Sequence, residues 1–94
     1  MLDFLKNVDI SDNTINELNN RLDKSMIFDL NTNAENVLGI IIFMKKVGIN
    51  NISLLLLNKP DWFLKRCDTF IEKINSNQEY LVNKINTDYE NVSL

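Results

Sequence analysis

The sequence predicts an all-α fold: a compact bundle of four to five short helices forming a single domain over residues 1–94. Three observations carry this expectation. Apolar residues recur at intervals of three and four along most of the chain, the spacing that lines one face of an α-helix. Residues that begin or stop helices stand at the ends of those runs: Ser11 before the first, Gly48 after the second and Pro60 after the third. No segment alternates apolar and polar residues cleanly enough to pair as a strand. Composition agrees, since 45% hydrophobic and 24% charged residues are ordinary for a globular chain. A chain of 94 residues has room for one core.

Taken in order, Leu2 to Lys6 is a brief helical turn whose Leu2, Phe4 and Leu5 close the core from one side. A first helix is expected over about residues 12–24, because Ile15, Leu18 and Leu22 follow Ser11 at helical intervals and Ile10 can pack back on its first turn. Asp29 to Asn33 is rich in residues that favour turns and reads as a linker, with Thr32 or Asn33 capping the next helix. That second helix spans about Ala34 to Val47. Its apolar residues wrap most of the circumference, which predicts the central buried helix. Lys45 and Lys46 suit the negative end of its dipole, and Gly48 suits a left-handed stop. The run Ile40 to Ile42 is also compatible with a buried strand, an alternative opposed by the cap and stop signals on either side.

A third, short helix over about Asn51 to Asn58 is stopped by Pro60, which disfavours helical backbone at Lys59. Pro60 then opens a fourth helix, with Phe63, Cys67, Phe70, Ile71 and Ile74 on one face. Leu81, Ile85, Tyr89 and Val92 place a fifth helix at about residues 78–91, within a segment 76–94 that is either peripheral or frayed.

Chemistry is constrained by what these residues can and cannot do. The chain has no His and a single Cys, so neither a disulfide framework nor the commonest transition-metal ligand is present. Asp29 to Glu35 imitates the start of a calcium-binding loop, but Ala34 stands where the turn requires Gly and Ile40 where a bidentate Glu is needed. Only Gly39 and Gly48 exist, and neither belongs to a phosphate-binding loop. Asp68 and Glu72 lie one helical turn apart but off the apolar face, with Lys65 as a neighbour, and read as solvated. Cys67 has no His to activate it and reads as a core thiol facing Phe63, Phe70 and Ile71. No catalytic residue, cofactor or metal ligand is predicted. The start of the chain lacks a basic, apolar leader, and the apolar run Val37 to Met44 is too short to span a bilayer, so a cytoplasmic protein without membrane contact is expected. The abundance of Asn, Ile and Lys is that of a low-GC bacterial genome.

Charge is distributed unevenly. Net charge is −3 with a pI near 4.8, which opposes nucleic-acid binding over the whole surface. Residues 1–44 carry a net −4, residues 45–74 a net +3 and residues 75–94 a net −2. Within the basic segment, Lys59, Trp62, Arg66 and Lys73 are expected along one side of the fourth helix, where Trp62 and Arg66 could stack on each other or on a base.

Val47-Gly48-Ile49, the short helix with Leu55 and Leu56, then Pro60 with Phe63, Leu64 and Phe70, form an order that resembles one repeat of the mitochondrial transcription termination factor family. The likeness covers about a third of the chain, and Val8-Asp9-Ile10 with Ile15 and Leu18 echoes its first half. It implies a helical, nucleic-acid-binding corner, with Lys59, Arg66 and Lys73 as the available contacts, although family members are long arrays of such repeats. Two functions are therefore expected. One is a protein-interaction module that binds another protein or its own copy through Leu81, Ile85 and Tyr89 or through the Trp62 surface. The other is a nucleic-acid-binding accessory domain that uses the basic face after Pro60.

Overall fold

Six α-helices and three 3-10 helices account for the fold, and a computed structural model describes residues 1–94. The α-helices are α1 (Asp12–Arg21), α2 (Lys24–Thr32), α3 (Ala34–Val47), α4 (Ile52–Asn58), α5 (Cys67–Asn75) and α6 (Gln78–Asp88). The 3-10 helices are Asp3–Val8, Pro60–Leu64 and Tyr89–Asn91. No residue is in a strand, so the Ile40 to Ile42 run is helical. The radius of gyration, 12.5 Å, matches the ~12 Å of a close-packed chain of this length.

Helix α3 is the axis of the core. Its Val37, Ile40, Ile41 and Met44 are fully buried, each contributing roughly 1.5–3 kcal/mol through burial. The N-terminal 3-10 helix, α2, the 3-10 helix Pro60–Leu64 and α5 all pack on it. The apolar wrap is incomplete, however: Glu35, Ile42 and Lys46 face outward. Helix α1 lies against α4, and α6 lies against α5. Gly39, in mid-helix, leaves room for α5, since a Cβ there would meet the Cys67 sulfur at 3.0 Å. None of these helices is long and apolar enough to cross a membrane.

Two expected elements are corrected. The first helix ends at Arg21, not near Lys24, and residues expected as a linker belong to α2. Asp23 accepts a hydrogen bond from the Met26 amide at 2.8 Å and so starts the extra helix, whose Ile27 and Leu30 are buried. Asn33 then occupies the junction to α3 but its side chain does not cap that helix; its side-chain amide donates back to the Asp29 carbonyl in the last turn of α2 at 2.8 Å. The second correction is the fourth helix. Pro60 opens a 3-10 helix that stops at Leu64, Lys65 and Arg66 are extended, and a separate helix, α5, begins at Cys67. Ser11 caps α1 as expected, accepting from the Thr14 amide at 3.2 Å.

Gly48 ends α3 with φ of 93°. Its amide donates to Lys45 O at 3.3 Å and the Ile49 amide to Met44 O at 2.9 Å, the paired bonds of a left-handed helix stop. The same geometry recurs where the sequence echo lies. Asp9 has φ of 62°, its amide donates to Lys6 O at 3.2 Å, and the Ile10 amide donates to Leu5 O at 3.2 Å. Lys45 joins the two corners, donating to the Val8 carbonyl and pairing with Asp9 at 3.5 Å. The corners differ in what the left-handed residue costs. Gly48→Ala meets no atom within 4 Å, so its expected loss, about 1–2 kcal/mol, is backbone strain alone. Asp9→Gly is expected to hold or gain up to ~1 kcal/mol, because the exposed pair it loses is worth little. Thermal unfolding of the two variants checks the opposite signs.

Helix α6 docks rather than frays. Ile85 is fully buried and Val92 nearly so. Asn86 holds the α3–α4 corner, accepting from the Asn50 amide at 2.9 Å and donating to the Gly48 carbonyl at 3.0 Å. Asn51 returns a bond to the Ile85 carbonyl at 2.9 Å.

Candidate functional site

The break between the Pro60–Leu64 helix and α5 creates the one concavity lined by several cations. A continuous helix there would pair its own backbone groups, whereas the break leaves carbonyls and an amide needing partners. Asn36, reaching from α3, supplies them. Its amide nitrogen donates to Lys65 O at 2.7 Å and to Phe63 O at 3.3 Å, while its oxygen accepts from the Cys67 amide at 2.9 Å. One side chain thus ends the 3-10 helix and caps α5, which fixes the two extended residues between them.

Those two residues, Lys65 and Arg66, form one wall of a cleft of about 370 Å³ whose other lining residues are Thr69, Phe70, Lys73 and Leu94. Thr69, Phe70 and Lys73 lie on α5 and Arg66 immediately precedes its first residue, which brings all four to the cleft. Phe70 is only 1% exposed and stands edge-on to Phe43 at 6.2 Å, which makes it a fixed apolar floor. Arg66 meets Asp68 at 3.0 Å, but both side chains are well exposed and the pair adds little stability.

Two groups beside the cleft have displaced acidities. The Asp68 carboxyl lies below its ordinary value, chiefly because it accepts the Thr69 amide hydrogen at 2.7 Å, with the Arg66 guanidinium helping. The Cys67 thiol is pushed up by burial and then by the Asp68 charge. A raised thiol holds its proton at neutral pH and is a poor nucleophile. Cys67 should therefore be alkylated more slowly than free cysteine at pH 7, which a timed reaction with iodoacetamide would measure; an equal rate would contradict the burial argument.

The residues expected to share a face are only partly brought together. Arg66 and Lys73 converge on the cleft, while Lys59 lies at the end of α4, away from its lining. Trp62 points inward and is 3% exposed, so it presents no ring to a base or to Arg66. The 3-10 geometry turns it from the face that an α-helix starting at Pro60 would have given it. Lys45 and Lys46 stay with α3, and Lys45 is engaged at Val8 and Asp9. Of the expected apolar interface, Ile85 belongs to the core, and Leu81 and Tyr89 are partly buried against it, so docking α6 consumes that strip. The expected neighbour of Asp68, Lys65, lines the cleft instead, and Arg66 takes the carboxylate. Asp29 to Thr32, the start of the calcium-loop lookalike, forms the last turn of α2.

Gly48, Leu55, Leu56, Phe63 and Phe70, which carry the likeness to the termination-factor repeat, lie at the α3–α4 corner and in the core. Compared with protein-family models, with curated proteins and with solved structures, the chain matches none, so the chemistry of the cleft itself is what bears on function.

Proposed function

We propose that this chain is a non-enzymatic, cytoplasmic protein-interaction module whose contact surface is the α5 cleft. The observation that carries the reading is the lining itself: Lys65, Arg66 and Lys73 stand around the apolar floor of Phe70 on a chain whose net charge is −3. Cations around an apolar floor suit a partner that offers both acidic and apolar groups. The Cys67 thiol beside the cleft is pushed up by burial and by the Asp68 charge, and the chain has no His to activate it.

A nucleic-acid-binding accessory domain is the second reading, favoured by the convergence of the same three cations and by the likeness to the termination-factor repeat. Trp62 weighs against it, because a buried ring cannot stack on a base. Size-exclusion chromatography with light scattering, on the protein alone and with mixed short DNA and RNA, separates the two. The module reading expects a mass indifferent to nucleic acid at both low and moderate salt. A complex that forms at low salt and dissolves as salt rises would favour the second reading.

A further inference from the structure

Building on the interaction-module reading, we propose that the α5 cleft binds a short, extended acidic peptide segment that places one apolar side chain between its carboxylates. The cleft presents its cations in two groups. Lys65 and Arg66 stand together at the break, just before Cys67, and Lys73 stands six residues along α5 from Cys67, about 9 Å at the helical rise of ~1.5 Å per residue. An extended peptide advances about 3.3 Å per residue, so carboxylates three to four positions apart reach both groups. Between the groups lie the apolar side chains of Phe70 and Leu94, where an intervening apolar side chain fits. Thr69 offers a hydroxyl on the same wall, now turned toward Asp68 at 3.4 Å.

Charge complementarity selects the partner class. With Lys65, Arg66 and Lys73 set aside, the rest of the chain carries −6, against −3 for the whole. A nucleic acid longer than the cleft would run over a surface that is net acidic, and the ring expected to stack on a base, Trp62, is buried. A short peptide needs only the cleft. Arg66 is already turned to an anion, Asp68, and the bound peptide's carboxylate replaces it there. Asp68 therefore competes with the ligand, a relation that a purely structural ion pair would not produce.

The test is fluorescence anisotropy with a short labelled peptide of Glu and Asp residues around a central Leu. Comparison ligands are the same peptide with Ser for Leu, the same with Lys for the acids, and a mixed-sequence single-stranded DNA. Lys65→Glu and Lys73→Glu should each weaken the Leu-centred peptide by about tenfold or more, and Asp68→Asn should tighten it two- to fivefold. Lys65→Gln and Lys73→Gln, milder at the same positions, should give smaller losses in the same direction. Circular dichroism establishes that each variant is folded. Affinity that ignores the charge reversals, or that is unchanged by Ser for Leu, overturns the proposal. Tighter binding of the DNA than of the peptide overturns both the proposal and the module reading. Failure of both ligands to bind, with light scattering reporting a dimer, overturns the cleft proposal alone and leaves self-association as the module's activity.

Discussion

Asn36→Ala should destabilise the protein by about 2–4 kcal/mol, because it leaves three partly buried backbone groups without partners at about 1–3 kcal/mol each where water cannot fully replace the bond. Those groups are the carbonyls of Phe63 and Lys65 and the amide of Cys67. For a chain of this size the loss corresponds to roughly 10–25 °C in melting temperature, read by circular dichroism. Asn36→Asp separates the two halves of the role. Its carboxylate still accepts from Cys67, at the positive end of α5, but has no proton to give the two carbonyls. A proton held there on acidification restores a donor, so this variant should recover part of its stability below neutral pH while Asn36→Ala does not. The same substitutions should weaken peptide capture, because the backbone that Asn36 binds positions Lys65 and Arg66. A melting temperature for Asn36→Ala within ~2 °C of the unsubstituted protein would remove Asn36 from this role.

Phe63→Ala should cost about 3–5 kcal/mol, the largest single effect expected in the chain. Phe63 is fully buried in the 3-10 helix on which α2, α3 and α4 all pack, so the cavity has walls from three helices and little freedom to collapse. A domain of 94 residues has in total roughly 5–14 kcal/mol, so the variant sits close to the unfolding threshold. Urea denaturation should move its midpoint far toward zero. Phe28→Ala is the matched control: the ring is 62% exposed, and removing it should change stability by no more than about 0.5 kcal/mol. Equal midpoints for the two variants would mean that Phe63 is not packed as described.

The parts of the fold that were legible in the sequence are those decided within a few residues. Ser11, Gly48 and the bounds of α3 follow from local cap and stop chemistry, and all three stand as expected. The break at Lys65 and Arg66 was not legible, because Phe63, Cys67, Phe70, Ile71 and Ile74 keep helical spacing straight across it. What interrupts the helix is Asn36, about thirty positions away in the chain. Helix α2 was hidden for a related reason. Burial of Ile27 and Leu30 outweighs the turn preference of Asp29, Asn31 and Asn33. In the cleft, Arg66 and Lys73 were legible from spacing, whereas Lys65 was not, since its place depends on the break. The abundance of Asn had read as genome composition alone. Asn31, Asn36, Asn51 and Asn86 each bond backbone of a different element, a role that composition cannot reveal.

The paired left-handed corners also bear on the order in which the chain assembles. Each closes hydrogen bonds across only six residues, contacts that need little loop entropy and form early. They should not form together. The Gly48 corner carries no steric penalty, while the Asp9 corner must overcome one and draws its offsetting bond from Lys45, which is in position only once α3 has formed. The α3–α4 corner is therefore expected to lead and the N-terminal corner to follow. In pulse-labelled hydrogen exchange during refolding, the Ile49 amide should gain protection before the Ile10 amide, and Lys45→Met should delay Ile10 while leaving Ile49 unchanged.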